Sequence, residues 1–223
     1  MSLVGRLPAE TSLRLRFPAL VLLSGLALVV FSYFFLDRPV AFLMHRLFHR
    51  NLLFVPLIGF AQLSLSLGPP ALALAALAGW IGWRPGTRGW TGIACALAVT
   101  VTITFKDSLK YIFGRAWPET WTNHNPSLIH DGVYGFFPFH GGDGWASFPS
   151  GHTAAISAVA GVLWWRAPEW RWLWALLIAS TAIGLLGGNY HFLADIIAGG
   201  YLGFACGRAT LALPFPREDR PAP

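Results

Sequence analysis

Along most of this chain, long uncharged apolar runs alternate with short clusters of arginine. Residues 17–36, 51–83, 89–105 and 172–194 contain no Asp, Glu, Lys or Arg. A helix needs roughly 20 such residues to cross the hydrocarbon of a bilayer. The runs predict six spans, over approximately 17–36, 62–83, 92–112, 152–167, 171–188 and 190–212. The stretch 51–83 is too long for one straight crossing, since at helical rise it would reach about 50 Å. Pro56 and the Gly68-Pro69-Pro70 step predict an interfacial lead-in followed by one span, with a second crossing as the alternative. Residues 38–50 read as an amphipathic interfacial segment, with His45, Arg46, His49 and Arg50 set against Phe42, Leu43 and Leu47. The first apolar run is too long for a signal peptide, and Leu36-Asp37-Arg38-Pro39 offers no small-residue cleavage site, so it is read as a retained span.

Composition supports this reading. Of 223 residues, 55% are apolar and 12% charged, a balance foreign to a soluble globule. The fold class predicted is all-α: a polytopic membrane helix bundle of about six spans, one transmembrane domain over 1–223. The net charge of +6 is spread over scattered arginines with no basic tract, which argues against a nucleic-acid partner. It fits loops anchored on an anionic leaflet. Arg84 and Arg88, Arg166 and Arg171, Arg208, Arg217 and Arg220, with Arg6, Arg14 and Arg16, fall on one side of the predicted bundle. The positive-inside rule makes that side cytoplasmic. Arg38, Arg46 and Arg50 fall on the other and are outnumbered. Tryptophans such as Trp80, Trp83, Trp90, Trp164 and Trp165 flank the same loops, as an interfacial belt does. Cys95 and Cys206 each sit inside an apolar run, match no metal or disulfide spacing, and are read as packing residues.

The opposite side carries one long connection, 114–150, with Pro118, Pro126, Pro138 and Pro149, His124, His130 and His140, and many aromatics. A loop this long in a compact bundle is usually functional or disordered, and its aromatic content argues against disorder. Its three histidines lack metal-ligand spacing, and the expectation for metals and cofactors is none. Three polar segments converge on this side by alternation of span direction. Lys106-Asp107-Ser108-Leu109-Lys110 ends the third span, Pro149-Ser150-Gly151-His152 opens the fourth, and His191-x-x-x-Asp195 opens the sixth. Ionisable groups in spans are costly and functional by default. Ser150 and Gly151 at a helix start offer backbone N–H groups to an anion. The four-residue spacing of His191 and Asp195 puts both on one face. The carboxylate can then hold one imidazole nitrogen and leave the other free to attack. Lys106 and Lys110 share a face by the same spacing and can neutralise a phosphate.

At these residues the chain resembles the type 2 phosphatidic acid phosphatase superfamily. Its integral-membrane members have six spans and three signatures: Lys, six residues, Arg-Pro; Pro-Ser-Gly-His; and Ser-Arg, five residues, His, three residues, Asp. The second is complete here in Pro149, Ser150, Gly151 and His152; the third keeps His191 and Asp195; the first keeps Lys110 and Pro118. The resemblance covers roughly 100–205, and both signature arginines are missing, replaced by Trp117 and by Leu185 next to Gly184. It implies a lipid phosphate substrate and metal-independent hydrolysis through a phosphohistidine. His191 is then the nucleophile, Asp195 its orienting group and His152 the general acid and base. Lys110, Ser150 and Gly151 are expected to hold the phosphate. Arg115, two residues from the missing arginine, is expected to swing into its place with Trp117 packed over it, and Lys106 is the other nearby cation. A lipid phosphotransferase using the same histidines and a non-catalytic anionic-lipid binder are the alternatives. The lysine-poor, arginine- and alanine-rich composition suggests a bacterial inner membrane with the site facing the periplasm.

Overall fold

A computed structural model describes residues 9–48, 51–121 and 124–214, with side chains from Leu20 onward. Arg6, His49, Arg50, Arg217, Arg220 and the side chains of Arg14 and Arg16 lie outside the described residues. Among those residues the chain is a bundle of helical rods. The first rod is α1 (Ala9–Phe31), a π turn (Ser32–Leu36) and α2 (Asp37–Phe48). A 3-10 segment (Leu52–Ile58) leads into α3 (Gly59–Trp80). Then come α4 (Thr87–Phe113), the one-turn α5 (Leu128–Asp131), α6 (Gly151–Arg166), α7 (Arg171–Gly187) and α8 (Leu193–Thr210). This is the helical membrane bundle that the apolar runs predicted.

Four stretches are long and apolar enough to cross a bilayer unaided: Leu20–Phe48, Leu52–Trp80, Thr87–Phe113 and Pro168–Gly187. Their outer faces carry exposed Leu22, Leu26, Phe34, Leu63, Leu74 and Ile183. Water would not tolerate such a surface, and lipid would cover it. The shorter, more polar α6 and α8 are the inner pair. Most of α6 is buried, from Gly151 and Thr153 through Ala158 to Val162. A helix shielded by its neighbours needs small residues more than apolar ones. On α8, Gly199, Gly203 and Gly207 present bare backbone: a Cβ there would stand 2.4, 1.9 and 2.3 Å from the carbonyl oxygens of Ser150, Ala154 and Ala158.

Two sequence expectations change. Of the segment 38–50, the described residues 38–48 are not a separate interfacial segment, because α2 continues the first rod through the π turn and buries Asp37 and Ala41. His45 is not an interfacial anchor either: its Nδ1 lies 2.7 Å from the buried carboxylate of Glu119. The lead-in before α3 is present, but Pro69 and Pro70 sit inside α3 without breaking it. The lead-in packs on α7, where a Cβ at Gly184 would meet Leu57 Cβ at 2.9 Å and one at Gly187 would meet the Phe54 ring at 2.2 Å. With Leu185 fully buried beside them, the positions that hold Ser-Arg in the family are a packing seam here.

Candidate active site

The end of α4 and the starts of α6 and α8 meet at one end of the bundle, as the alternation of spans predicted. The Ser150 N–H donates to the Asp195 carbonyl at 3.0 Å, which sets α6 against α8. The Lys110 ammonium donates to the Ala146 carbonyl and lies 5.6 Å from the Trp117 ring centre. Lys106 runs across the start of α6, its Cδ 3.0 Å from where a Cβ on Gly151 would be, and its ammonium pairs with Asp107 at 2.5 Å. A Cβ at 151 would press on that stem.

His191, in the turn before α8, sets Nδ1 3.4 Å from Asp195 Oδ2, which leaves Nε2 as the free nitrogen. The imidazole is buried against that carboxylate. The indole of Trp117, at the position of the family's first-signature arginine, lies over this ring with centres 5.1 Å apart. His152 Nε2 lies 2.8 Å from Gln62 Oε1 on α3.

Ser150 departs from its expected part. It is fully buried, its hydroxyl caps α6 by accepting from the Thr153 N–H, and its own N–H is spent on Asp195. The N–H groups that the first turn of α6 still offers belong to Gly151 and His152.

Arg115 is placed elsewhere than a phosphate ligand must be. Gly114 ends α4 in the left-handed region at φ 50°, and a Cβ there would stand 2.0 Å from the Phe137 carbonyl. The turn delivers Arg115 inward, where its N–H donates to the Trp145 carbonyl at 2.7 Å and its carbonyl accepts from Ser147 at 3.2 Å. Its side chain is completely buried and donates to both Asp195 and, at 2.6 Å, Asp37. Tyr33, Tyr134, Phe136 and Phe192 enclose the guanidinium at 4.3–5.5 Å; Trp117 does not pack over it as the sequence suggested. Burial works against its charge, but Asp195 and Asp37 outweigh that and hold the group above its usual value. The cation that accompanies Lys110 at the start of α6 is therefore Lys106.

The long loop is tied down at Glu119, a third buried carboxylate. Its Oε2 lies 2.7 Å from His45 Nδ1 and accepts from the Asn189 amide at 3.2 Å, and its Oε1 faces His130 Nε2 at 3.2 Å without a hydrogen bond, so α2, the loop and the turn before α8 meet at one point. Sequence reasoning missed Asp37, Glu119 and Gln62. Gln62 had a signal, as an amide in the uncharged stretch 51–83; Asp37 had one as a carboxylate closing the first apolar run.

A histidine backed by a buried carboxylate, a second histidine at a helix start and two lysines gather at one end of the bundle. Residues 91–219, more than half of the chain, match the profile of the PAP2 superfamily, and the chain belongs to that superfamily. Phosphatase or phosphotransferase activity on phosphate esters follows from that membership. No curated protein and no solved structure matches the chain.

Proposed function

We propose that this protein hydrolyses a phosphomonoester or diphosphate of a membrane lipid through a phosphohistidine intermediate. The observation that carries the reading is the meeting of the His191–Asp195 pair, His152, and the two lysines at the start of α6. In the first step His191 Nε2 attacks phosphorus and the bond to the lipid oxygen breaks, with His152 giving that oxygen its proton. In the second, His152 takes a proton from water, which attacks the phosphohistidine and releases phosphate. Asp195 holds Nδ1 throughout and balances the cationic phosphoimidazole. The charge spread over the equatorial oxygens is met by Lys110, Lys106 and the Gly151 and His152 N–H groups. The neutral amide of Gln62 stands 2.8 Å from Nε2 of the general acid.

The test is phosphate release from purified protein given a lipid phosphate, with and without an added lipid alcohol. Hydrolysis gives inorganic phosphate in both. A new phospholipid formed from the added alcohol without inorganic phosphate would make it a transferase, and neither product would leave an anionic-lipid binder. Lys110→Ala is expected to lower kcat/KM by about 100-fold. Lys106→Ala should lower it by roughly 10- to 100-fold, because no arginine shares its task. Unchanged kinetics in both variants would remove the lysines from the phosphate site.

The site and the 114–150 loop are proposed to face the non-cytoplasmic side, the periplasm if the membrane is a bacterial inner one. Single cysteines replacing the exposed Phe139 and Glu169, in a background without Cys95 and Cys206, should then differ: an impermeant thiol reagent labels the first in intact cells and spares the second. The reverse pattern would invert the orientation.

A further inference from the structure

Asp37 lies outside the matched region and reaches the site through a local irregularity of the first rod. In the π turn the Asp37 N–H bonds the Ser32 carbonyl five residues back, a wider turn that re-aims the side chains after it. The Tyr33 carbonyl within that turn accepts from the Tyr134 hydroxyl at 2.5 Å. Asp37 Oδ1 accepts from Ser32 Oγ at 2.8 Å and from the Ala194 N–H, at the start of α8, at 2.9 Å. Its Oδ2 takes Arg115 Nη2 at 2.6 Å, while Arg115 Nη1 goes to Asp195 Oδ1. Asp195 Oδ2 takes Ser147 Oγ at 2.6 Å and the Phe192 N–H at 3.0 Å, and faces His191 at 3.4 Å.

We propose that Asp37 and Arg115 are positioning residues that set the charge behind Asp195 and so tune the basicity of His191. This rests on the reading of His191 as nucleophile. Arg115 alone would neutralise Asp195 and leave the imidazole little reason to carry positive charge. Asp37 takes half of the guanidinium fork, so two carboxylates and one cation leave a net single negative charge beside His191. Asp37, Arg115 and Asp195 are 0–1% exposed and lie within the aromatic cage, so the charge is screened less than an exposed one. The other groups around His191 are Lys110 and, beyond it, Lys106 from α4, and His152 from α6. All are cationic or become so, and they oppose a positive imidazole. A net negative charge behind Asp195 is what offsets them when His191 becomes a cationic phosphoimidazole.

The experiment is an NMR titration of imidazole-labelled histidines in the full chain in detergent micelles, with the His191 signal assigned by its loss in His191→Asn. Asp37→Asn removes one negative charge and should lower the His191 titration by about one pH unit. The acid limb of kcat/KM should move with it, and turnover should fall by about 10-fold. Adding Arg115→Gln restores the single negative charge and should return the titration to the wild-type pH. Ser32→Ala, which loosens Asp37 without changing its charge, should leave it there. An unmoved titration in Asp37→Asn, or an equal shift in Ser32→Ala, would overturn the proposal. Should Asp37→Asn not fold, the double variant, in which Asp195 alone carries the charge behind His191, is compared with Arg115→Gln alone: a higher His191 titration in Arg115→Gln than in the double variant supports the proposal, and equal titrations contradict it. If the titrations behave as expected but wild type releases no phosphate, the relay stands and the phosphatase reading fails.

Discussion

His191→Ala is expected to abolish phosphate release, with a loss on the order of 10⁴-fold or more. The magnitude follows from what the residue does. A nucleophile that forms the covalent intermediate has no substitute nearby: His152 is engaged with Gln62 at 2.8 Å, and the lysines are spent on charge. Asp195→Asn should be less severe, since it keeps the hydrogen bonds from Ser147 and Phe192 and loses the charge that stabilises a cationic ring. A chelator should leave wild-type release untouched, because positive charge at the phosphate comes from Lys110, Lys106 and backbone N–H groups. Steady-state phosphate release from the purified variants checks all three. Activity surviving in His191→Ala would end the covalent mechanism, and abolition by chelator would replace it with metal chemistry.

The second large effect is structural. Gly203→Ala is expected to destabilise the bundle by at least about 3 kcal/mol, since its Cβ meets a carbonyl and not a yielding side chain. That Cβ would stand 1.9 Å from the Ala154 oxygen and 2.9 Å from the Ala158 nitrogen, so α6 and α8 must separate. They carry His152 and Asp195, with His191 in the turn that leads into α8, and activity should fall with stability. Gly200→Ala is the control: its Cβ would find only Thr153 Cγ2 at 3.7 Å and Ser157 Oγ at 3.8 Å, ordinary contacts. Thermal unfolding in detergent should show Gly203→Ala lower by about 10 °C and Gly200→Ala near wild type. Equal melting would mean that α6 and α8 are not packed backbone to backbone.

Much of this is legible in the sequence because membrane insertion leaves a coarse imprint. Uncharged runs mark the rods, and alternation of direction alone brings Lys110, His152 and His191 to one end. The four-residue spacing of His191 and Asp195 suffices to predict their pairing. The small-residue ladder Gly199, Gly203 and Gly207 carries the same spacing. Arg115 departs from its expected place for a physical reason. Its distance from Trp117 along the chain is short, but Gly114 turns the backbone and Asp37, 78 residues earlier, claims the guanidinium. No local pattern announces a contact between the first rod and the loop after α4. The π turn that aims Asp37 is likewise invisible in Ser32-Tyr33-Phe34-Phe35-Leu36, which reads as plain apolar helix. The absence of arginine at 185 becomes intelligible only with the lead-in 52–58 lying against Gly184 and Gly187.

Trapping the intermediate tests the central claim most directly. Purified protein mixed with a lipid phosphate labelled in the phosphoryl group, and quenched within one turnover, should carry label that is stable in alkali and lost in acid, as phosphohistidine is. The account predicts that peptide mapping places this label at His191, that His191→Ala carries none, and that His152→Ala retains whatever it acquires for longer. Rapid hydrolysis with no labelled protein, or label mapped to any residue other than His191, would contradict it.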